Sequence, residues 1–339
     1  MNRYSRFSFL FAVMLLTLIP PALQAQKIRA AEKAALKQKE DSMQPLTIRM
    51  VMSENAAERF RGDSLFTRLF VRALQNPHSF YYPFDSLNIS RLYAPDSAFR
   101  IFTWQLKKDE YVVMQKGAIQ MRTSDGSLKL FPLFDMSMFT KNPNDSVRTR
   151  FNWIGAIYYK IILKEYQGKK YYTLLGFDEF SVASNKKWME VLSFDAKGEP
   201  VFGASKISFE KDTAKRASVN RYSIEYKKEA KAFLNYDPDL DLILVDHLIS
   251  ETDEPSRKST YVPDGDYEAF KWENGRWIHI NKQFSQKRRN GDFPKDALIL
   301  GDDGKADEKK LEEASRRNYE RAQKEKKEAE KNNPPKKKP

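Results

Sequence analysis

The chain has 339 residues, 41% of them hydrophobic and 13% aromatic, enough apolar material to bury a core without covalent staples. It contains no cysteine, which excludes a disulfide framework, a thiolate metal site, a cysteine nucleophile and a lipid-modified amino-terminal cysteine. Its formal charge of +13 would point to nucleic acid in a cytosolic protein, but the first residues point to export, which puts that partner out of reach. Arg3 and Arg6 precede an apolar run over 7–19, Pro20-Pro21 breaks any helix, and Leu23-Gln24-Ala25 offers a small residue for cleavage, so 1–25 reads as a signal peptide. The run is shorter than the about 20 apolar residues that span a bilayer, so no transmembrane span is expected in the mature chain. A basic exported surface meets lipid phosphates and acidic glycans, although solubility alone also accounts for the charge.

Residues 26–52 are expected as a polar leader: 26–41 are rich in alanine and lysine and show no strong apolar stripe, which suits a solvated helix or a frayed segment better than core. Over 53–74 the spacing of Leu65, Phe66, Leu69, Phe70 and Ala73 predicts a helix, with Ser53 as N-cap, Gly62 as an interruption and Asn76-Pro77 as the stop. Phe80, Tyr81, Tyr82 and Phe84 follow and suit an anchor between that helix and the main domain.

From 99 to 282 the pattern changes to short runs of β-branched and aromatic residues between turn signals. Strands are expected near 99–106, 111–121, 128–133, 157–164, 170–177, 188–194, 201–209, 219–226, 233–236, 242–249, 267–272 and 276–280. Asp125-Gly126, Gln167-Gly168 and Asn274-Gly275 mark hairpins. If Asn274 and Gly275 form the turn, Glu273 faces Arg276, Trp272 faces Trp277 and Phe270 faces His279. No helix intervenes to make a parallel crossover. The expected fold is therefore mainly β, an antiparallel meander forming a barrel-like or sandwich domain over 53–292 with an N-terminal helix; a propeller is the alternative, since the strand count fits three four-stranded blades although no blade repeat is visible. A charged helical tail is expected over 293–339, where Glu312 and Arg316 or Glu320 and Lys324 lie four apart, ending in the basic, disordered "NNPPKKKP".

The chemistry-bearing motifs are few. His78, His247 and His279 are too scattered for a metal motif, and no Walker loop, dinucleotide fingerprint or nucleophile elbow is present, so no metal and no cofactor is expected. Asp246-His247 resembles a catalytic dyad, but adjacent strand residues point to opposite faces, so His247 needs another partner. Asp237, Asp239 and Asp241 have the alternate spacing of a calcium loop, yet Leu242 and Leu248 stand where glycine and glutamate are required, and a turn explains them better. Between two aromatic-rich runs, Asp178 to Lys187 forms a polar insert longer than an ordinary hairpin loop. There Asp178, Asn185 and Lys186 are candidate binding groups, with Trp188 as a stacking wall, and His247 is a further candidate; local capping by the same residues is the competing reading.

The "LLGFD…SNKK…VLSFD" core and the later "DHL" element, within about 150–270, resemble an uncharacterised family of exported proteins common in Bacteroidota. The resemblance implies an envelope protein, periplasmic or outer-membrane associated and not a lipoprotein, and transfers no catalytic residue. The expected function is a non-enzymatic binding or structural module contacting an envelope protein or an anionic glycan or lipid. The alternative is a glycan- or peptide-acting hydrolase with carboxylates drawn from separate strands.

Overall fold

The structure is a computed structural model that describes residues 28–213, 216–252 and 254–284, with four helical positions of the tail, 312, 313, 316 and 320. The expected signal peptide and nearly all of the expected tail lie outside the described residues. The protein is mainly β, with 43% strand and 21% helix. No described helix is long and apolar enough to cross a membrane.

The leader expected over 26–52 is instead a packed helix, α1 (Ala30–Met52). Its buried residues Leu36, Glu40, Met43, Thr47 and Met50 recur at steps of four and three, one helical face. Two of the five are polar, which hid the stripe, yet both are satisfied. Glu40 accepts hydrogen bonds from the Tyr82 hydroxyl at 2.5 Å and the Ser86 N–H at 2.7 Å, and Thr47 Oγ1 accepts from the Asn88 N–H at 3.2 Å. The second helix, α2 (Ala56–Leu74), starts later than expected because Asn55, not Ser53, caps it: its side chain accepts from the N–H groups of Ala57 and Glu58. Gly62 does not interrupt α2 but lets α1 approach. A Cβ there would lie 3.3 Å from the Leu46 carbonyl oxygen.

Three sheets follow. The first is a consecutive meander of β1 (Ser90–Tyr93), β2 (Phe99–Lys107), β3 (Val113–Met121) and β4 (Lys129–Phe134). The second contains β5 (Arg148–Thr149), β6 (Ile157–Tyr166), β7 (Lys169–Asp178), β8 (Ser184–Phe194), β9 (Pro200–Phe202) and β11 (Arg221–Lys227), with β9 and β11 both pairing β8. The third orders β10 (Ile207–Ser208), β15 (Arg276–Phe284), β14 (Tyr261–Glu273), β13 (Leu242–Ser250) and β12 (Leu234–Asp237). All pairings are antiparallel except β10 with β15. The run expected as one strand over 201–209 divides between β9 and β10 and so joins two sheets. No sheet closes into a barrel among the described residues.

Alternation along the strands places the cores. Phe99, Ile101 and Ile119 of the first sheet share a cluster with Tyr158, Leu174 and Leu192 of the second. The opposite face of the first sheet, through Phe102 and Trp104, meets Leu36, Met43, Phe66 and Phe70 of the helices. Leu175, Val191 and Tyr226, on the other side of the second sheet, meet Ile243, Val245, Phe270 and Trp277 of the third. Each large apolar side chain buried this way contributes about 1.5–3 kcal/mol before entropy is counted. The first two sheets are thus covered on both faces, which is why β2 is buried along most of its length and β7 from Tyr172 onward, whichever way a side chain alternates.

The β14–β15 turn has Asn274 at φ 49° and Gly275 at φ 76°, and its register matches the pairing that the Asn-Gly turn dictates. The aromatic segment after α2 is fastened by Arg100, which is fully buried and donates to the carbonyls of Tyr82 at 2.6 Å and Ser79 at 2.8 Å. The guanidinium lies 4.7 Å from the Phe102 ring, and burial, only partly offset by Tyr93, lowers its pKa to about 10.

Candidate functional site

The polar insert is a tighter structure than the sequence suggests. β7 runs to Asp178 and β8 starts at Ser184, so the connection is 179–183, and Asn185, Lys186 and Lys187 are strand residues. Asp178 pairs in register with Lys186, and Gly176 with Trp188. Trp188 is no exposed wall: it is 3% exposed, in the core between the first two sheets. Asn185 donates to the Lys228 carbonyl at 3.1 Å, a local fastening of the kind the capping alternative describes. Lys186 pairs with Glu225 at 3.2 Å and sits 3.3 Å from the centre of the Phe180 ring.

Asp178 is 6% exposed and accepts from Gln115 Nε2 at 2.9 Å. Burial raises its pKa to about 6, with Asp135 adding to the rise and Gln115, Lys186 and Trp188 opposing it. Gln115 is the hub of this end of the protein, because its backbone N–H also donates to Asp135 at 3.0 Å. Asp135 in turn accepts from the N–H groups of Ser137 and Gly155. Gln105, opposite Gln115 in the β2–β3 ladder, donates to Glu179 at 3.1 Å. These bonds gather the β2–β3 turn, the segment after β4 and the β7–β8 turn at one end.

The bonded polar groups here face inward or one another, and several large apolar side chains lie on the outside. Tyr111 is 70% exposed, Met138 63% and Phe139 77%, with Phe180 and Val182 exposed on the β7–β8 turn. The surface continues to Phe134, whose ring stacks on Phe151 with centroids 6.0 Å apart. The sequence signal for this rim was Met136-Ser137-Met138-Phe139, an apolar group within a turn-rich connection.

His247 lies elsewhere, on β13 of the third sheet. Asp246 is not its partner: the Asp246 carboxylate accepts from the Phe233 N–H at 2.7 Å. The partner of His247 is Asp264, with Nδ1 2.8 Å from Oδ2 across a ladder irregularity between β13 and β14. His247 Nε2 is 4.0 Å from Glu268, and Glu268 reaches His279 Nε2 at 2.9 Å. His279 Nδ1 is 2.7 Å from Asp212, which pairs with Arg216 at 2.7 Å. Burial alone would lower the His279 pKa, but Glu268 and Asp212 outweigh it and the pKa is raised. Burial works to raise Asp212 and Asp264, yet hydrogen bonds to their partners leave both lowered.

This chain of charges borders a cleft of about 480 Å³ between β11 and the third sheet, lined by Lys186, Tyr222, Glu225, His247, Tyr261 and Glu268 among others. Arg221 braces its far wall: it is fully buried, pairs with Glu190 at 2.6 Å and donates to the carbonyls of Pro143 and Ser146. The aspartates over 237–241 form the turn between β12 and β13, with Asp237 accepting from the N–H groups of Asp239 and Leu240. Among the described residues no three histidine, aspartate or glutamate side chains converge to hold a metal ion. No family model matches the chain, no curated protein matches it, and no solved structure matches it.

Proposed function

We propose that this chain is an exported envelope protein of the Bacteroidota type its motifs resemble, periplasmic or outer-membrane associated, in which a layered sandwich serves as a non-enzymatic docking module for another envelope protein. The observation that carries the reading is the apolar rim of Tyr111, Met136, Met138, Phe139, Phe180 and Val182 at one end of the fold. Exposed apolar side chains gathered at one end of a fold mark interaction sites on otherwise polar proteins. Methionine suits such a surface because its flexible thioether adapts to a partner's shape. Exposed charges beside the rim are mixed, with Lys108, Asp109, Glu110, Lys141 and Asp145, which favours a protein surface over an anionic glycan or lipid.

A hydrolase would need a protonated acid and an ionised partner facing one substrate. In the cleft Glu225 is held by Lys186 and Glu268 by His279, the pairing of a fixed ionic framework, so the docking reading is preferred. The test is affinity purification of the tagged chain from its own envelope, with mass spectrometry of what accompanies it. The wild type is expected to recover one envelope protein reproducibly, and Met138→Ser with Phe139→Ser to lose it at unchanged melting temperature. Equal recovery by the variant, or turnover of a cell-wall polymer without any partner, would overturn the reading.

A further inference from the structure

The cleft beside β11 shares Lys186 with the hairpin end but none of the exposed apolar side chains, so its use is a separate question. Its volume of about 480 Å³ falls in the range of small-molecule sites, roughly 300–1,000 Å³. Three cations, Lys186, Arg216 and Lys258, and three carboxylates, Glu225, Asp246 and Glu268, contribute to the lining. Most are already paired: Lys186 with Glu225 at 3.2 Å, Arg216 with Asp212 at 2.7 Å, and Glu268 with His279 at 2.9 Å. The lining thus carries cations and carboxylates in equal number, and a charged ligand would have to compete with those pairs.

Paired groups nevertheless keep hydrogen-bonding capacity. An ammonium has three donors and a carboxylate about four acceptor sites, so each can add a hydroxyl without giving up its partner. Tyr222 and Tyr261 supply ring surface in the same cleft, and Lys258 Nζ lies 4.1 Å from the centre of the Tyr261 ring. Asn144 lines the same wall and adds an amide to its polar groups. A compound rich in hydroxyl groups, with an apolar ring face and no net charge, matches all of these features.

We propose that the cleft binds a neutral saccharide of one or two rings, with its hydroxyls between Glu225, Glu268 and Lys186 and a ring face against tyrosine. The test titrates the purified exported protein with maltose, cellobiose and di-N-acetylchitobiose, followed by saturation-transfer NMR and calorimetry. Glucuronate serves as the anionic comparison. Binding of at least one neutral disaccharide is expected, little affected by salt, weakened about tenfold by Tyr261→Ala, and retained by Phe139→Ser. Should Tyr261→Ala fail to fold, Lys258→Glu, at an exposed position, gives the same reading by placing a new charge on the rim. No binding of the three neutral sugars at millimolar concentration, preference for glucuronate, or affinity unchanged in both cleft variants would overturn the proposal. Loss of the docking partner with sugar binding intact would leave this site standing alone.

Discussion

The hairpin end around Asp178 and the cleft around His247 draw on similar residues and use them in opposite ways. At the hairpin end a carboxyl is buried beside a glutamine, polar side chains fasten backbone, and the solvent meets phenylalanine and methionine. At the cleft most ionised groups have a counter-charge within hydrogen-bond reach, and Lys186 and Glu225, though paired, keep part of their surface in solvent. A polar stretch of sequence therefore does not mark where polarity is available. What matters is whether its hydrogen-bonding capacity is spent within the fold.

The sharpest way to break this comparison is to remove the brace the two ends share. Arg221 ties the second sheet to the 143–146 segment that runs from the rim to the cleft wall. Arg221→Met would leave Glu190 buried and uncompensated, at a cost of about 3–5 kcal/mol in urea unfolding. Adding Glu190→Leu should recover part of that loss, since removing both charges removes the desolvation penalty.

Asp178 gives the next largest effect, in the opposite direction. Its folded pKa of about 6 lies above the ordinary 3.8, so the folded chain holds the proton to higher pH and ionisation opposes folding. Stability from this group falls as pH climbs from about 4 to about 6 and stays low above that. Asp178→Asn, which can still accept from Gln115, should raise stability by about 2 kcal/mol at pH 8 and have little effect near pH 4.

His279 marks the other region by a different pH window. Its folded pKa is raised, so its contribution is fully present below the unfolded value of about 6.5 and is lost as pH rises through the folded one. His279→Gln should cost about 1–2 kcal/mol at pH 6, less at pH 9, with a flatter unfolding profile between them. The smallest effect on stability belongs to the rim. Met138→Ser with Phe139→Ser should stay within about 0.5 kcal/mol of wild type, because neither side chain is buried.

Much of the fold was legible because alternation and turn chemistry agree. Asn274-Gly275 fixes the β14–β15 register, and alternation along β13 sets Asp246 against the partnership with His247. The burial of α1 was missed because Glu40 and Thr47 occupy core positions, where only distant partners such as Tyr82 and Asn88 make them tolerable. The 178–187 insert was read as a loop because lysines continue a strand by burying their stems, as Lys186 does along Phe180. Beyond its Met136–Phe139 segment, the assembly of the rim was out of reach, as was the Asp264–His247 pair, since both depend on register and on bonds such as Gln105 to Glu179 that join segments far apart in the chain.

The docking claim is tested most directly by a photoreactive benzoylphenylalanine placed at Phe139, or at Gln167 at the far end of β7, in cells that make the protein. Irradiation should join position 139 to a single envelope protein and leave position 167 uncrosslinked. Equal labelling at the two positions, or none at 139 while the chain is folded and exported, would contradict the account.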